Sequence, residues 1–288
     1  MKQIIVIDVG GTSIKYGLWN EDQKELSSKG KIITPDNLES FYKVLETIVV
    51  NFKDEQVDGI GLSIPGAVDQ KVGVIGGISA IPYIHDFPIR SALEERLKLP
   101  VAMENDANCA ALAELSLGAA QDLKNIIFIV IGTGVGGAVV INRQLIHGSH
   151  HLGGEFGMLL GHSNKRLSHS GTSVWMARYY NKNHGTSING KEIIEMAENG
   201  DRSAKEYTDT MYYNLAKAIY NLQFTIDPEA IIIGGGVSEN KIFLKSLNQN
   251  IADLVGKVSG VKLIPKIIPA KFHNDSNLIG AAYNFYYD

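Results

Sequence analysis

The chain has 288 residues, enough for one large domain or two smaller ones with a substantial buried core. Its 27 basic and 31 acidic residues give a formal net charge of −4. They form no basic run, which argues against a nucleic-acid-binding protein. The single cysteine, Cys109, excludes an internal disulfide and a cysteine-built zinc site. The N-terminal residues lack a signal-peptide pattern, so we expect a cytoplasmic protein with no membrane partner.

The chain opens with an apolar strand, a glycine turn and a second strand, and this pattern returns after residue 125. The two copies span residues 4–17 and 126–141. Their turn residues are Gly10, Gly11 and Thr12 in the first copy, and Gly132, Thr133 and Gly134 in the second. Glycines let main-chain N–H groups point outward together, and such groups with a hydroxyl form a phosphate site. The repeat predicts two lobes that bind the phosphates of one nucleotide, and two ordinary β-hairpins are the alternative.

The second glycine turn also satisfies the dinucleotide-binding pattern G-x-G-x-x-G. That pattern requires a following helix whose N-terminus holds the pyrophosphate. Residues 138–142 instead read as a second strand, which makes a Rossmann domain a weak interpretation. The apolar run 126–141 has only 16 residues and a glycine-rich centre, whereas a spanning helix needs about 20 apolar residues. It is predicted to be a buried hairpin.

Strands and helices alternate along the rest of the chain. Further strands are predicted at 14–20, 26–33, 57–64, 101–103, 230–233 and 261–268. Helices are predicted at 34–49, 88–97, 107–117, 173–180, 190–198, 202–226, 240–255 and 276–287. The alternation indicates the α/β class. We expect a small lobe at 1–118, a hinge at 118–124, a large lobe at 119–274, and a last helix at 275–288 that returns to the small lobe.

Asp106 is the strongest catalytic candidate. It follows a predicted strand and opens a predicted helix, so its carboxylate projects at the carboxyl edge of a sheet, where α/β proteins bind ligands. The alternative is a helix cap, but capping needs only one of Asn105, Asp106 and Asn108, and all three are present. We predict a general base that takes a proton from a hydroxyl nucleophile.

Two more carboxylates and a group of histidines are candidates for ligand binding. Asp8 ends the first strand beside the glycine turn, where it would repel phosphate unless Mg²⁺ lies between them; a turn-stabilising Asp is the alternative. Glu155 is surrounded by glycines, which suits close approach to a polyhydroxyl ligand, and a surface glutamate is the alternative. The histidines of the middle region fit no metal-binding spacing, so we expect them to line a polar pocket or face solvent. They are His147, His150, His151, His162 and His169.

Taken together, these motifs resemble the ROK family of repressors and sugar kinases, within the sugar kinase–actin–heat-shock ATPase superfamily. The matching segments are residues 8–15, 61–66, 104–111, 132–137, 154–157 and 227–238. The resemblance implies a two-lobed ribonuclease-H-like (actin-like ATPase) fold with a nucleotide and sugar cleft between the lobes. It also implies ATP and Mg²⁺ as cofactors and phosphoryl transfer to a sugar hydroxyl, such as O6 of a hexose. Glucose, an N-acylhexosamine and a β-glucoside stay open as acceptors.

The same resemblance assigns roles to individual residues, with Asp106 as the catalytic base. The sugar-binding residues would be Gly66, Ala67, Asn105, Asp106, His151 and Glu155. The nucleotide-binding residues would be Asp8, Gly10, Gly11, Thr12, Lys15, Gly132, Thr133, Gly134, Gly234, Gly235 and Gly236. Asp8 would hold Mg²⁺ through water. The expected partners are the small-molecule sugar and ATP, and a homodimer stays open.

The chain departs from the family pattern around the zinc site that many members carry. Met158 stands in place of the zinc-binding histidine, and residues 168–173 contain no cysteine, so we expect no structural zinc. The acidic sugar ligand that usually follows is not evident, and Ala80 stands where many relatives place an asparagine near the sugar. Two other functions are weighed against the kinase. One is a sugar-sensing protein without turnover, and the other is an NAD-dependent dehydrogenase that rests only on the second glycine turn.

Overall fold

The computed structural model of the chain describes residues 2–161, 164–258, 260 and 262–287. The strands are β1 Gln3–Val9, β2 Ser13–Asn20, β3 Glu25–Ile33, β4 Ile60–Ile64, β5 Ala67–Asp69, β6 Val74–Gly76, β7 Val101–Asn105, β8 Ile126–Ile131, β9 Val135–Ile141, β10 Gln144–Leu145, β11 Ala230–Gly234 and β12 Ile267–Pro269. The helices are α1 Leu38–Asn51, α2 Ile89–Leu97, α3 Asp106–Leu117, α4 Leu167–Ser170, α5 Ser173–His184, α6 Gly190–Glu198, α7 Arg202–Ile226, α8 Lys241–Lys257 and α9 Ser276–Tyr287. Short 3₁₀ turns lie at Pro82–Ile84, Phe156–Met158 and His273–Asp275.

The first compact unit, unit 1, comprises Met1–Gln121, His147–Leu152 and Asn274–Asp288. Its main sheet has the strand order β3-β2-β1-β4-β7. The first three strands pair antiparallel, and β1, β4 and β7 run parallel. Residues 4–7 of β1 are fully buried, as expected for a strand covered on both faces of a sheet.

The second compact unit, unit 2, comprises Asp122–Ile146 and Gly153–His273. Its sheet has the order β10-β9-β8-β11-β12. The strands β8, β9 and β10 pair antiparallel, and β8, β11 and β12 run parallel. The two similar sequence patterns thus begin two sheets with the same order and the same strand directions.

Most of the predicted elements are present with small differences at their ends, whereas β5, β6, β10 and α4 were not predicted. Helix α1 begins at Leu38, three residues later than Pro35 suggested, because the Asn37 side chain caps it by accepting the Ser40 N–H at 2.9 Å. Strand β4 begins at Ile60 rather than at residue 57. The last strand is Ile267–Pro269 rather than 261–268, and Val261 lies outside the described residues. None of the described helices is both long and apolar enough to span a membrane.

Candidate active site

In unit 1, the predicted site residues gather at the carboxyl ends of the three parallel strands. Asp8 of β1 is paired with Ser63 of β4, and Ser63 is paired with Glu104 of β7, so three polar residues form one row across an otherwise apolar sheet. The glycine turn follows β1, Gly66 lies in the turn after β4, and Asp106 begins the helix directly after β7. This edge of a parallel sheet is the usual place for a ligand in α/β proteins.

Asp8 is a buried carboxylate, with only 6% of its surface exposed, and neutral donors hold one of its two oxygens. Its Oδ1 accepts hydrogen bonds from Ser63 Oγ at 3.0 Å and from Asn277 Nδ2 at 2.9 Å. Its Oδ2 lies 3.6 Å from Lys15 Nζ. A fixed carboxylate with one oxygen directed toward cations fits the predicted water-mediated Mg²⁺, a hard ion that prefers oxygen ligands. The sequence did not reveal Ser63 or Asn277 as the groups that hold Asp8.

The first glycine turn is held by Thr34, directly after β3, and packs closely against Ala80. Thr34 donates its hydroxyl to the Gly10 carbonyl at 2.5 Å and its N–H to the Thr12 carbonyl at 3.2 Å. A Cβ added to Gly11 would lie 2.7 Å from the Cβ of Ala80, so only glycine fits there. Gly11 and Thr12 are exposed, which leaves this turn open to a ligand.

Asn105, rather than Asp106, caps helix α3. The Asn105 Oδ1 accepts the N–H groups of Ala107 at 2.9 Å and Asn108 at 3.2 Å, and its Nδ2 donates to the Gly66 carbonyl at 3.0 Å. Asp106 is the first residue of the helix, and its Oδ1 accepts the Ala107 N–H at 2.8 Å. The positive end of the helix dipole favours an ionised carboxylate at this position. Capping therefore does not require Asp106.

Glu104, directly before this pair, is fully buried and accepts hydrogen bonds on both oxygens. Its Oε1 accepts from the Asn105 N–H at 2.6 Å and from Asn108 Nδ2 at 2.9 Å. Its Oε2 accepts from Gln70 Nε2 at 2.5 Å and lies 2.6 Å from His147 Nε2. Sequence reasoning missed Glu104. An acidic residue at the end of an apolar strand indicates that polar partners surround it, because an unpaired buried charge would be costly.

Three of the clustered histidines, His147, His150 and His151, belong to unit 1, and two of them lie against carboxylates. His147 pairs with Glu104, and His151 Nε2 lies 3.3 Å from Asp69 Oδ2. The pKa of Asp69 is lowered, first by the backbone N–H of Val72 and then by that of Lys71, with a smaller contribution from His151. Within the described residues, no three His, Cys, Asp or Glu side chains are placed to hold a metal ion together. His162 lies outside those residues.

In unit 2, the two other glycine turns also follow parallel strands. Gly132–Gly134 follows β8, and Gly234–Gly236 spans the end of β11 and the turn after it. Gly235 has φ of +84°, and a Cβ there would overlap the Ile131 carbonyl, so the second of these turns requires glycine and packs against the end of β8. A strand, β9, follows the first of them instead of a helix, which removes the structural basis for the dinucleotide-binding interpretation.

Glu155 lies in unit 2 just before the 3₁₀ turn Phe156–Met158. The residue is exposed, yet neighbouring protein atoms remove part of the water around its carboxyl group, and this desolvation raises its pKa above the ordinary value. The preceding Gly154 has φ of +91°, so the backbone turns sharply and presents the side chain. The arrangement is compatible with a hydrogen-bond acceptor for hydroxyl groups.

Comparisons with known proteins agree over nearly the full length of the chain. The model of the ROK family matches residues 4–286. A beta-glucoside kinase from Klebsiella pneumoniae is 33% identical, with 98% of this chain and 96% of that protein covered. A ROK family protein from Streptococcus pneumoniae, solved in complex with sucrose, is 38% identical with a TM-score of 0.89 over 98% of this chain and 97% of its own. A Streptomyces griseus ROK glucokinase, solved with glucose and AMPPNP, is 26% identical with a TM-score of 0.79 over 97% and 98%. These similarities confirm the predicted actin-like ATPase fold.

Proposed function

The chain belongs to the ROK family, and we propose that it is an ATP-dependent sugar kinase that phosphorylates a hydroxyl group, O6 of a hexose ring, in a free sugar or a glycoside. The observation that carries this proposal is the placement of Asp106. It sits at the carboxyl edge of the parallel strands, at the start of a helix that Asn105 already caps. The relatives of the chain include enzymes named glucokinase and beta-glucoside kinase.

The chemistry asked of Asp106 is limited. Its carboxylate accepts the proton of the sugar hydroxyl while that oxygen attacks the γ-phosphorus of ATP. The bond from the γ-phosphorus to the β–γ bridging oxygen breaks, ADP leaves with that electron pair, and Asp106 later releases the proton to solvent. Asn105, Gly66, Ala67, His151 and Glu155 are the proposed sugar contacts.

The nucleotide is proposed to bind through the backbone of the glycine turns, with Lys15 beside the phosphates. Asp8 would hold Mg²⁺ through water, since Ser63 and Asn277 fix its Oδ1 and leave Oδ2 toward cations. When bound, this ion neutralises charge on the phosphates. The turns in question are Gly10–Thr12, Gly132–Gly134 and Gly234–Gly236.

We further propose that the catalytic lobes are residues 1–118 with 275–288, and residues 119–274, with residues 147–152 assigned to the first lobe because they pack within unit 1. The protein works in the cytoplasm, where ATP is available, as a small-molecule enzyme without a nucleic-acid partner. It needs no structural zinc.

The substitution Asp106→Asn tests the proposal. It keeps the size of the side chain and leaves the Asn105 cap intact, so the melting temperature should change little. Turnover of ATP with the best acceptor of a sugar panel should fall by roughly 10²–10⁴, the usual worth of a positioned general base. Asp201→Asn is the matched control, because Asp201 caps helix α7 and Asn caps equally well. Parental turnover in Asp106→Asn would remove Asp106 from the mechanism, and sugar binding without any ADP release would favour a sensor.

A further inference from the structure

A serine–histidine pair lies in the segment that follows strand β6, and none of the functions proposed so far uses it. Ser79 Oγ lies 2.7 Å from His85 Nε2. The Ile81 N–H also donates to Ser79 Oγ, at 3.1 Å. Both side chains of the pair are half-buried. The Ser79 hydroxyl is therefore held by two contacts, one with the backbone and one with an imidazole ring.

The pair lies between two segments of the candidate active site, and all of these residues belong to unit 1. Ala80, the residue after Ser79, packs against the first glycine turn, since a Cβ added to Gly11 would lie 2.7 Å from the Ala80 Cβ. His85 packs against Gly66, where an added Cβ would lie 3.1 Å from His85 Cε1. Ser79 thus lies between the turn proposed for the nucleotide phosphates and a segment proposed for the sugar.

The surroundings of the imidazole ring indicate which of its nitrogen atoms carries the proton. His85 Nδ1 is buried and has no hydrogen-bond partner among the described residues. Buried N–H groups without an acceptor are rarer in folded proteins than buried acceptors without a donor. We therefore assign the proton of the neutral ring to Nε2, which donates it in a hydrogen bond to Ser79 Oγ.

This assignment leaves one group of Ser79 unused. A serine hydroxyl has two acceptor lone pairs and one O–H donor. Both lone pairs of Ser79 Oγ are occupied, by His85 Nε2–H and by the Ile81 N–H. The O–H itself then meets no acceptor within the part of the chain that the structure describes. Ser79 can recognise a hydrogen-bond acceptor, and it cannot take up a proton.

We propose that the Ser79 hydroxyl donates a hydrogen bond to an oxygen of the γ-phosphoryl group while that group passes from ATP to the sugar. The peripheral oxygens of the ionised γ-phosphoryl group are all acceptors, and catalysis of its transfer depends on positioning and on stabilising their charge. A hydroxyl that can only donate is complementary to such a group. A sugar hydroxyl, in contrast, both donates and accepts.

The roles of the other residues stay as proposed. Ser79 keeps its own proton throughout, and the proton of the sugar hydroxyl goes to Asp106. His85 is a positioning residue, because it acts on the reaction only by orienting the Ser79 hydroxyl. The inference rests on the proposed kinase activity and adds one catalytic residue to it.

The substitution Ser79→Ala removes the donor. Turnover with the best acceptor of the sugar panel should fall by roughly 10- to 100-fold, because one preorganised donor to a reacting oxygen is usually worth at least that much. Ser79→Thr keeps the hydroxyl and should retain most of the turnover. Ser203→Ala is the matched control, since Ser203 Oγ lies 2.9 Å from His184 Nε2 in unit 2 and neither residue belongs to the candidate site. Parental turnover in Ser79→Ala would overturn the proposal.

Nucleotide binding tests the same contact without turnover. Calorimetry compares AMPPNP, which carries a γ-phosphoryl group, with ADP, which lacks one, each in the presence of Mg²⁺. Ser79→Ala should weaken AMPPNP binding by about threefold to tenfold, the net worth of one partly exposed hydrogen bond, and leave ADP binding unchanged. Weaker binding of the sugar with unchanged binding of AMPPNP would assign Ser79 to the sugar and contradict the proposal.

The substitution His85→Phe tests the positioning role. Phenylalanine keeps a ring against Gly66 but donates nothing to Ser79, so turnover should fall by about threefold to tenfold with the affinity for the sugar unchanged. In a Ser79→Ala background the same change should cause no further loss, because His85 acts only through that hydroxyl. Losses that multiply in the double variant would refute the positioning role.

The Ser79 contact and the kinase activity can fail separately. Selective weakening of AMPPNP binding by Ser79→Ala, with no ADP release from the parent with any sugar, would support the contact and refute the kinase. ADP release at the parental rate from Ser79→Ala, with unchanged AMPPNP binding, would refute the contact and leave the kinase.

Discussion

Replacing His147 with glutamine tests how the buried carboxylate of Glu104 positions the proposed catalytic residues. Glu104 is fully buried, and its Oε2 lies 2.6 Å from His147 Nε2. His147→Gln keeps a hydrogen-bond donor but removes the imidazole ring that positions it. Because the same carboxylate accepts the Asn105 N–H, a disturbance of Glu104 reaches Asp106 through one intervening residue.

The loss of folding stability expected for His147→Gln follows from the burial of the Glu104 carboxylate. Leaving a buried carboxylate without one of its hydrogen bonds costs about 1–3 kcal/mol. The His147 side chain is 28% exposed, so water replaces part of the lost interaction and we expect about 2 kcal/mol. For a chain of 288 residues that corresponds to a fall in melting temperature of about 3–4 °C. Displacement of Asp106 should also lower turnover by roughly 10- to 100-fold.

A double-mutant cycle makes the prediction specific to the pair. The melting temperatures and turnover of His147→Gln, Glu104→Gln and the double variant are compared with the parent. The two neutral amides can hydrogen-bond to each other, so the double variant should be more stable than His147→Gln alone. Lys205→Gln is the control, since it breaks an exposed ion pair with Asp209 that is worth about 0–1 kcal/mol. Additive effects, or a His147→Gln variant with parental stability and turnover, would refute the reasoning.

Three other predictions concern metals and pH. Chelation selective for Zn²⁺, with Mg²⁺ restored, should leave rate and melting temperature unchanged, because Met158 and a cysteine-free segment build no zinc site; a large loss would show a missed ligand set. Asn277→Ala should weaken the Mg²⁺-dependent part of AMPPNP binding, measured by calorimetry, more than the Mg²⁺-free part, because Asp8 loses a fixed orientation; an equal loss in both would indicate a merely structural role. Desolvation raises the pKa of Glu155, so the folded state disfavours the ionised carboxylate and loses stability as the pH rises from the ordinary pKa through the raised one. Glu155→Gln should therefore melt at a higher temperature than the parent near pH 7 and at the same temperature as the parent at about pH 4.

The sequence predicted the long elements well because their signals are local. Helix α7 has the predicted bounds, 202–226, since an apolar stripe repeats at helical spacing and the helix ends before Asp227-Pro228. The Asp201 side chain caps its start by accepting the Ala204 N–H at 2.7 Å. Strands β5 and β6 have three residues each, too few for a period to be recognised, and the hairpin they form was therefore missed.

The residues of the candidate site also fall into those that a local sequence pattern marks and those that no local pattern marks. Asp106 and Asn105 were found from sequence because a strand end and a helix start lie beside them. The network around Glu104 was not found, since its partners Gln70 and His147 are 34 and 43 residues away along the chain. No local pattern marks such contacts, which only the folded sheet and the return of residues 147–152 to unit 1 bring together.

The two sheets show how one topology can supply two kinds of chemistry. In unit 1, the row two residues before the glycine turn pairs Asp8 with Ser63, and both side chains are polar. The corresponding row of unit 2 pairs Val130 with Gly234, which carry no charge and no hydroxyl. Unit 2 therefore offers mainly backbone N–H groups at its glycine turns, whereas unit 1 adds carboxylates that can hold cations and accept protons. Because strand order and direction are the same in both sheets, this difference arises from side chains alone, and it places the proposed proton acceptor and metal-holding carboxylate in unit 1.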